Sequence, residues 1–301
     1  MTRATFIFIA AVLLLLPITS EFQEIEIGHQ LMVCLPFILL LGIPHGAIDN
    51  VLFLKKTDGR NLEFIGIYLI VAGINLAAWL FFPVLAYVAF LVLSAYHFGQ
   101  SQFVHYFTEI NGPHKVLHLT WGIALLSGLI FFNLNEVRSI VAEYEDFMFF
   151  DRVHQELIIR SVFISSLLLS LLLMIFFAWK KEWQFESLLI EFINLSLILC
   201  CFYLMPFIVG FTLYFVILHS IKVMREEYEY LNVLGIISSI RGFLILLTPF
   251  SLLSFLGIAL LFIGIHFDLI PWSYGYCLMI VISSITLPHA IVMNRFYNNE
   301  A

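Results

Sequence analysis

Four histidines lie inside long apolar stretches of the chain, where an ionisable side chain is unusual: His45, His97, His219 and His289. Placing such a group in hydrocarbon costs free energy, so an intramembrane ionisable residue indicates a functional site. Neutral imidazole is a strong ligand for iron, copper and zinc. Since each histidine belongs to a different apolar stretch, four helices could each supply one nitrogen to one ion. The set therefore predicts a single metal site.

Histidine ligands are usually oriented by a hydrogen bond from the ring nitrogen that does not bind the metal. Three residues are predicted to supply such bonds. Asp49 is four residues after His45 and hence on the same helix face, Gln100 follows His97 by one turn, and Glu191 is the one acid embedded in its apolar stretch. The alternative is that these three residues only pack between helices, with Asp49 paired to a neighbouring helix. Likewise, any single buried histidine could be a hydrogen-bonded packing residue that binds no metal.

The remaining histidines are predicted to lie outside the site. Membrane interfaces are expected for His105, His118 and His266. Solvated loops are expected for His29, His114 and His154. The four cysteines all lie in apolar stretches without a CxxC pair, so neither a disulfide framework nor a structural zinc site is indicated.

The composition requires a membrane around these residues. Of 301 residues, 62% are hydrophobic and 12% are charged, which is about half the charged share of a soluble domain. A helical span needs about 20 mostly apolar residues, and only a helix satisfies its own backbone in lipid. The chain is therefore predicted to be an all-α, polytopic transmembrane helix bundle of about ten spans. They are 6–19, 31–54, 64–82, 83–107, 116–132, 158–179, 187–205, 206–221, 242–267 and 273–293.

The distribution of basic residues predicts the orientation of these spans. With the amino terminus inside, eleven of the 14 lysines and arginines lie in inner segments, among them Lys55, Lys56 and Arg60. The acidic segments 21–26 and 136–151 then lie outside. Because Lys and Arg favour the cytoplasmic side, both termini are predicted to be cytoplasmic. All four histidine spans then run from outside to inside, with each histidine past the midpoint, which places the four side chains at a similar depth.

The chain shows no linker or low-complexity tract, so residues 1–301 are predicted to form a single integral membrane domain. Residues 1–20 are either a first span or a cleaved signal peptide. The net charge of −7 gives no reason to propose a nucleic-acid partner. Pro44 and Pro288 directly precede two of the histidines and are expected to kink their helices. Among the 32 phenylalanines, some must line the cavity at the metal, which suits a long, planar, apolar substrate.

The residues around the four histidines resemble a known family. Residues 42–49 (GIPHGAID), 96–99 (YHFG), 219–220 (HS) and 288–289 (PH) are similar to the Brp/Blh family of microbial membrane β-carotene 15,15′-dioxygenases. The resemblance extends roughly from His45 to His289, and the first motif is the specific one. At Gln100, Ser101 and Gln102 this chain departs from the family, in which an acid is expected.

The resemblance implies a function that the residues alone do not. It implies non-haem Fe(II) held by the four histidines, O₂ as co-substrate, cleavage of β-carotene into two retinal molecules, and an inner-membrane location. A rhodopsin apoprotein is the expected acceptor of retinal. The main alternative is a transporter or electron carrier that uses His and Asp as a proton relay or as haem ligands. A di-metal desaturase or hydroxylase would show clustered histidine motifs such as HxxxH, whereas these four histidines are single residues on separate helices.

Overall fold

The computed structural model describes residues 3–21, 27–54, 61–107, 109–143, 145–147 and 150–300. Within these ranges every regular element is a helix and there is no strand, which confirms the predicted all-α fold. The α-helices are α1 (Arg3–Glu21), α2 (Ile27–Phe37), α3 (Asp49–Leu54), α4 (Asn61–Phe81), α5 (Pro83–Phe103), α6 (Gly112–Phe132), α7 (Leu134–Glu143), α8 (Phe150–Val153), α9 (Glu156–Trp179), α10 (Phe185–Leu204), α11 (Phe207–Leu213), α12 (Ile221–Val233), α13 (Ile240–His266) and α14 (Tyr274–Glu300).

Nine helical stretches in the described residues are long and apolar enough to cross a membrane. They are Ile27–Leu54, Leu62–Phe81, Pro83–Tyr106, Gly112–Phe132, Glu156–Trp179, Phe185–Leu204, Phe207–Val233, Ile240–His266 and Tyr274–Asn298. Each overlaps one predicted span, which confirms the polytopic bundle. The predicted first span is a shorter apolar helix, Arg3–Thr19. The predicted inner segment with Lys55, Lys56 and Arg60 lies outside the described residues, as does most of the acidic segment 21–26.

One predicted span is longer than its apolar stretch. The span predicted at 206–221 continues as α12 to Val233, although this part carries Lys222, Arg225 and Glu226. The apolar stretch ends where the charged residues begin. These residues nevertheless favour helix formation, so the helix continues beyond the apolar stretch. His219 therefore lies near the middle of its span.

Many large apolar side chains point away from the bundle, including Leu14 and Leu172, which are 73% and 64% exposed. A soluble protein rarely leaves such surface bare, whereas in a bilayer it contacts lipid. The interior carries polar contacts between helices instead. Asn75 on α4 donates to the hydroxyls of Ser283 and Ser284 on α14, both at 2.9 Å. Such bonds between membrane helices help to fix their pairing.

Helices α5 and α6 cross with their backbones in direct contact. A Cβ placed on Gly99 would lie 1.8 Å from the carbonyl oxygen of His118, and one on Gly122 would lie 1.8 Å from that of Ala95. Only glycine permits this approach, as in the small-residue motifs of membrane helix pairs. The crossing holds the part of α5 that carries His97, two residues before Gly99.

The start of α11 is capped by side chains from two other helices. The Phe207 N–H donates to Glu136 at 2.8 Å and the Ile208 N–H donates to Gln30 at 3.1 Å. The first N–H groups of a helix have no partner within it, so these acceptors stabilise a helix that begins directly after Pro206. Glu136 lies on α7, so part of the predicted acidic outer segment is helical.

Two spans are irregular where they carry a site histidine. Between α2 and α3 the chain forms a π-helix over Ile38–Gly42 and then a 3₁₀-helix over Ile43–Gly46, which contains His45. Between α11 and α12 a second π-helix covers Tyr214–Ser220, which contains His219. π-Helical turns are rare and are frequent at functional sites. By contrast, α14 remains helical through Pro288.

Candidate metal centre

The four predicted histidines come together in the interior of the bundle. Their imidazole rings form a closed cycle in the order His45, His289, His97 and His219. The ring centroids are 4.7 Å apart for the first pair and 5.0 Å for the next two, and 5.4 Å separate His219 from His45. Neighbouring rings are nearly perpendicular, with interplanar angles of 80–87°. The matched depth predicted from the sequence therefore corresponds to direct proximity.

The cycle is removed from solvent and narrow enough for one ion. Ligand atoms of His45, His97 and His289 lie within 4.8 Å of one another. His219 closes the cycle through its contacts with His45 and His97. Three of the four side chains belong to residues only 2% exposed, whereas His45 is 8% exposed. The centre is consequently most open on the side of His45.

In two of the histidines, hydrogen bonds to pure acceptors fix which ring nitrogen carries the proton. His45 Nδ1 bonds to the carbonyl oxygen of Gly42, and His289 Nδ1 donates to Asp49 Oδ1 at 2.8 Å. Neither a carbonyl nor a carboxylate has a proton to give, so both Nδ1 atoms carry the hydrogen. The Nε2 atoms of these two rings are then left with a free lone pair, which is the form that binds a metal.

Ser101 performs the same task for His219. Its hydroxyl lies 3.1 Å from His219 Nδ1 and 3.2 Å from the carbonyl oxygen of Phe98. A hydroxyl has one proton, and the carbonyl can only accept it, so Ser101 accepts from the His219 Nδ1–H. Lys222 bonds to the backbone carbonyl of Ser101, which ties this turn to the helix of His219.

The donor set fits a metal ion. Within the part of the chain that the structure describes, the Nε2 atoms of His97, His219 and His289 are buried without a hydrogen-bond partner. Buried polar atoms are nearly always satisfied, so several unpartnered nitrogens at one point indicate a missing partner. Ligand atoms of His97 and His289 lie within 4.8 Å of each other and of one on His45, which is a spacing that one cation can bridge. Both ring nitrogens of His97 lack a hydrogen-bond partner among the residues that the structure describes.

Asp49 contacts a different histidine from the one that the sequence indicates. Its spacing from His45 predicts an i, i+4 contact, but its carboxylate binds His289 on α14. The 3₁₀-helix over Ile43–Gly46 and the following turn interrupt the α-helical spacing, so the side chain points across to the neighbouring helix. Gly46 makes room for this pair, since a Cβ there would lie 3.2 Å from His289 Nδ1.

The other two residues predicted to orient the ligands form bonds elsewhere. Gln100 donates to Asn294 at 3.0 Å. Glu191 accepts from Gln102 at 2.6 Å and from the Tyr106 hydroxyl at 2.9 Å. Glu191 is buried, and its hydrogen bonds join α10 to the end of α5. Its contacts therefore stabilise the packing of these two helices. Neither residue has a hydrogen bond to the four histidines among the described contacts.

Three histidines predicted at interfaces or in loops are buried. His118 is fully buried beneath the crossing of α5 and α6 and lies 5.9 Å from the Tyr96 ring. His114 joins the cap of α6 and contacts Glu182 at 2.8 Å. His154 lies 3.0 Å from the Tyr87 hydroxyl. Polar partners or close helix packing explain their burial, which hydropathy does not predict. His29, His105 and His266 are exposed, but His29 lies on α2 and not in the predicted loop.

Sequence reasoning did not identify Ser101 or the Gly42 carbonyl as partners of the histidines. Ser101 lies four residues after His97, which is a possible signal, but its partner is on another helix. Across the described ranges, the only grouping of three or more potential ligands with metal-like spacing is the one at this centre. No second ion site accompanies it there.

The chain is similar to known proteins along most of its length. A family model described as Beta-carotene 15,15′-dioxygenase matches residues 37–297. A curated relative of the same name, from uncultured marine bacterium 66A03, is 28% identical over 89 residues. That alignment covers 28% of this chain and 32% of the relative, so it spans about a third of the relative's length. No solved structure matches the chain.

Proposed function

The chain belongs to the β-carotene 15,15′-dioxygenase family, and on that premise we propose that it is an Fe(II)-dependent enzyme that cleaves β-carotene with O₂ at the central double bond. The observation that carries the proposal is the closed cycle of four buried imidazoles inside a membrane bundle, in which ligand atoms of three rings lie within 4.8 Å of one another. His45, His97, His219 and His289 would hold the iron.

The proposed reaction needs no acid or base from the protein. The central C=C bond breaks, each of its two carbons gains one oxygen atom from O₂, and two molecules of retinal result. Iron, when bound, would supply the activation of O₂ that the reaction requires. The chain's own groups keep the ligand set ready. Gly42, Asp49 and Ser101 hold protons on Nδ1 atoms, which leaves the Nε2 atoms of the same rings free to bind a metal.

The bundle also provides the environment that the chemistry needs. The histidines are buried, so bulk water does not compete for the metal or for reactive species. An apolar substrate dissolved in the bilayer would reach the centre laterally, without passing through water. We propose that the protein lies in the cell inner membrane, as the resemblance implies, and that both termini are cytoplasmic, as the distribution of Lys and Arg favours. A rhodopsin apoprotein is the proposed acceptor of the retinal.

The alternative function is a transporter or an electron carrier. The pairs His289–Asp49 and His219–Ser101 could in principle pass protons, and paired histidines could bind haem. Adjacent centroids are at most 5.4 Å apart, which leaves too little space for a porphyrin between neighbouring rings of the cycle. This geometry favours a single small ion. A Soret band in the purified protein would support the haem alternative.

The proposed activity is tested by purifying the protein without oxygen in detergent, adding Fe(II) and β-carotene, and then admitting O₂. We expect retinal as the product, two molecules for each β-carotene consumed, and no product when either iron or O₂ is omitted. With ¹⁸O₂ and immediate reduction of the aldehyde, each product should carry one heavy oxygen. Iron-loaded protein that binds β-carotene and yields no retinal would contradict the proposal.

A further inference from the structure

The aromatic ring of Phe215 contacts two members of the histidine cycle. This ring meets His45 edge-on, with the centroids 5.6 Å apart and an interplanar angle of 76°. It stacks against His219 at 5.7 Å and 18°. Phe215 is half-buried, whereas His219 is buried. Phe215 is therefore a partly exposed ring in direct contact with the candidate metal centre.

A second phenylalanine continues the stack away from the centre. The Phe211 ring lies 5.2 Å from that of Phe215 at an interplanar angle of 10°, and it is also half-buried. Phe211, Phe215 and His219 follow one another at intervals of four residues along one helical span. Their three rings are nearly parallel and lead from the surface of the bundle to the histidine cycle.

The neighbouring π-helix, Ile38–Gly42, leaves space for the Phe215 ring at its last residue. A Cβ on Gly42 would lie 2.6 Å from Phe215 Cε1, so only glycine leaves space for the ring there. Phe98, on α5, packs beside this ring, and the centroids of the two rings are 6.2 Å apart. With neighbours on several sides, the ring has little freedom to change rotamer.

We propose that Phe215, extended by Phe211, is the wall against which the substrate's polyene lies, and that Phe215 determines which double bond faces the histidine cycle. This inference rests on the proposed function. A carotene has no polar group that a hydrogen bond could hold, so its register along the site depends on shape alone. Rigid aromatic rings with few rotamers can fix such a register through dispersion contacts, whereas a flexible aliphatic side chain would let the polyene slide.

The test is the substitution Phe215→Leu, with iron content, KM and product identity measured together. We expect iron per chain to remain at the wild-type level, because no metal-binding atom is removed. We expect KM for β-carotene to rise roughly 3- to 10-fold, as for loss of one aromatic contact. We also expect longer and shorter apocarotenals beside retinal, because neighbouring double bonds reach the centre. Phe211→Leu should show the KM effect without the change in products.

The matched control is Phe177→Leu, which makes the same change at a buried ring that packs against Phe107 and His114, away from the four histidines. A loss of packing there lowers the amount of active protein but leaves retinal as the sole cleavage product. Retinal alone from Phe215→Leu at an unchanged KM would overturn the inference, as would loss of iron from that variant. Absence of retinal from the wild type would instead contradict the proposed function.

Discussion

Substitution of His97 by alanine is expected to remove the metal and with it the activity. His97 lies between His219 and His289 in the cycle, at 5.0 Å from each ring, and both of its ring nitrogens lack a hydrogen-bond partner in the described part of the chain. Removing even a hydrogen-bonded neighbour of a metal ligand costs up to about 100-fold in affinity, so loss of a ligand should cost more than roughly 100-fold. The measurement is iron per chain after desalting, followed by the retinal assay.

The matched control for this substitution is His118→Ala. His118 is equally buried and its two ring nitrogens also lack hydrogen-bond partners among the described residues, but it lies outside the cycle. This variant is expected to keep the wild-type iron content, even if the protein becomes less stable. Equal loss of iron from both variants would mean that burial rather than ligation explains the effect of His97→Ala.

Substitution of Gly99 by alanine is expected to cause a large loss of stability, although it adds only one methyl group. The added Cβ would lie 1.8 Å from the His118 carbonyl oxygen, which is backbone and cannot rotate away. Helices α5 and α6 must then separate, at a cost on the order of 3 kcal/mol or more. We expect the apparent thermal midpoint in detergent to fall by at least roughly 5 °C, and iron binding to weaken because His97 moves with α5.

Gly73→Ala provides the comparison for that experiment. Gly73 lies on the exposed part of α4, and a Cβ there would meet no atom within 4 Å. The same methyl group should leave the midpoint unchanged or raise it slightly, because alanine favours a helix over glycine by up to about 1 kcal/mol. If both variants kept the wild-type midpoint, the close crossing of α5 and α6 would be wrong.

The spans and the four histidines could be predicted because each depends on a strong local signal. Apolar length determines which segments can cross a membrane, and the nine long helical stretches coincide with predicted spans. Placing an imidazole in such a segment costs so much free energy that even a single histidine there indicates a functional role. Depth along parallel spans then predicted proximity, which the ring distances between His45, His97, His219 and His289 match.

The hydrogen bonds around the histidines could not be predicted, because they depend on helix geometry and on neighbours distant in sequence. The expected pairing of Asp49 with His45 assumed a continuous α-helix, which the 3₁₀ turn breaks. Ser101 binds a histidine 118 residues away, and Glu191 binds Gln102 across two helices. A single acid embedded in a span can therefore join two helices by hydrogen bonds or orient a histidine ligand, and the sequence does not distinguish these two roles.

The central claim is that four imidazoles of this chain hold one iron ion, and X-ray absorption at the iron edge of protein purified without oxygen tests it most directly. We predict one iron per chain, with nitrogen ligands from four imidazole rings and no sulfur among them. In the Asp49→Asn variant the same ligands should remain, with weaker affinity because His289 loses its charged acceptor. Protein that is folded in detergent yet binds no iron, or binds it through sulfur or as haem, would contradict the claim.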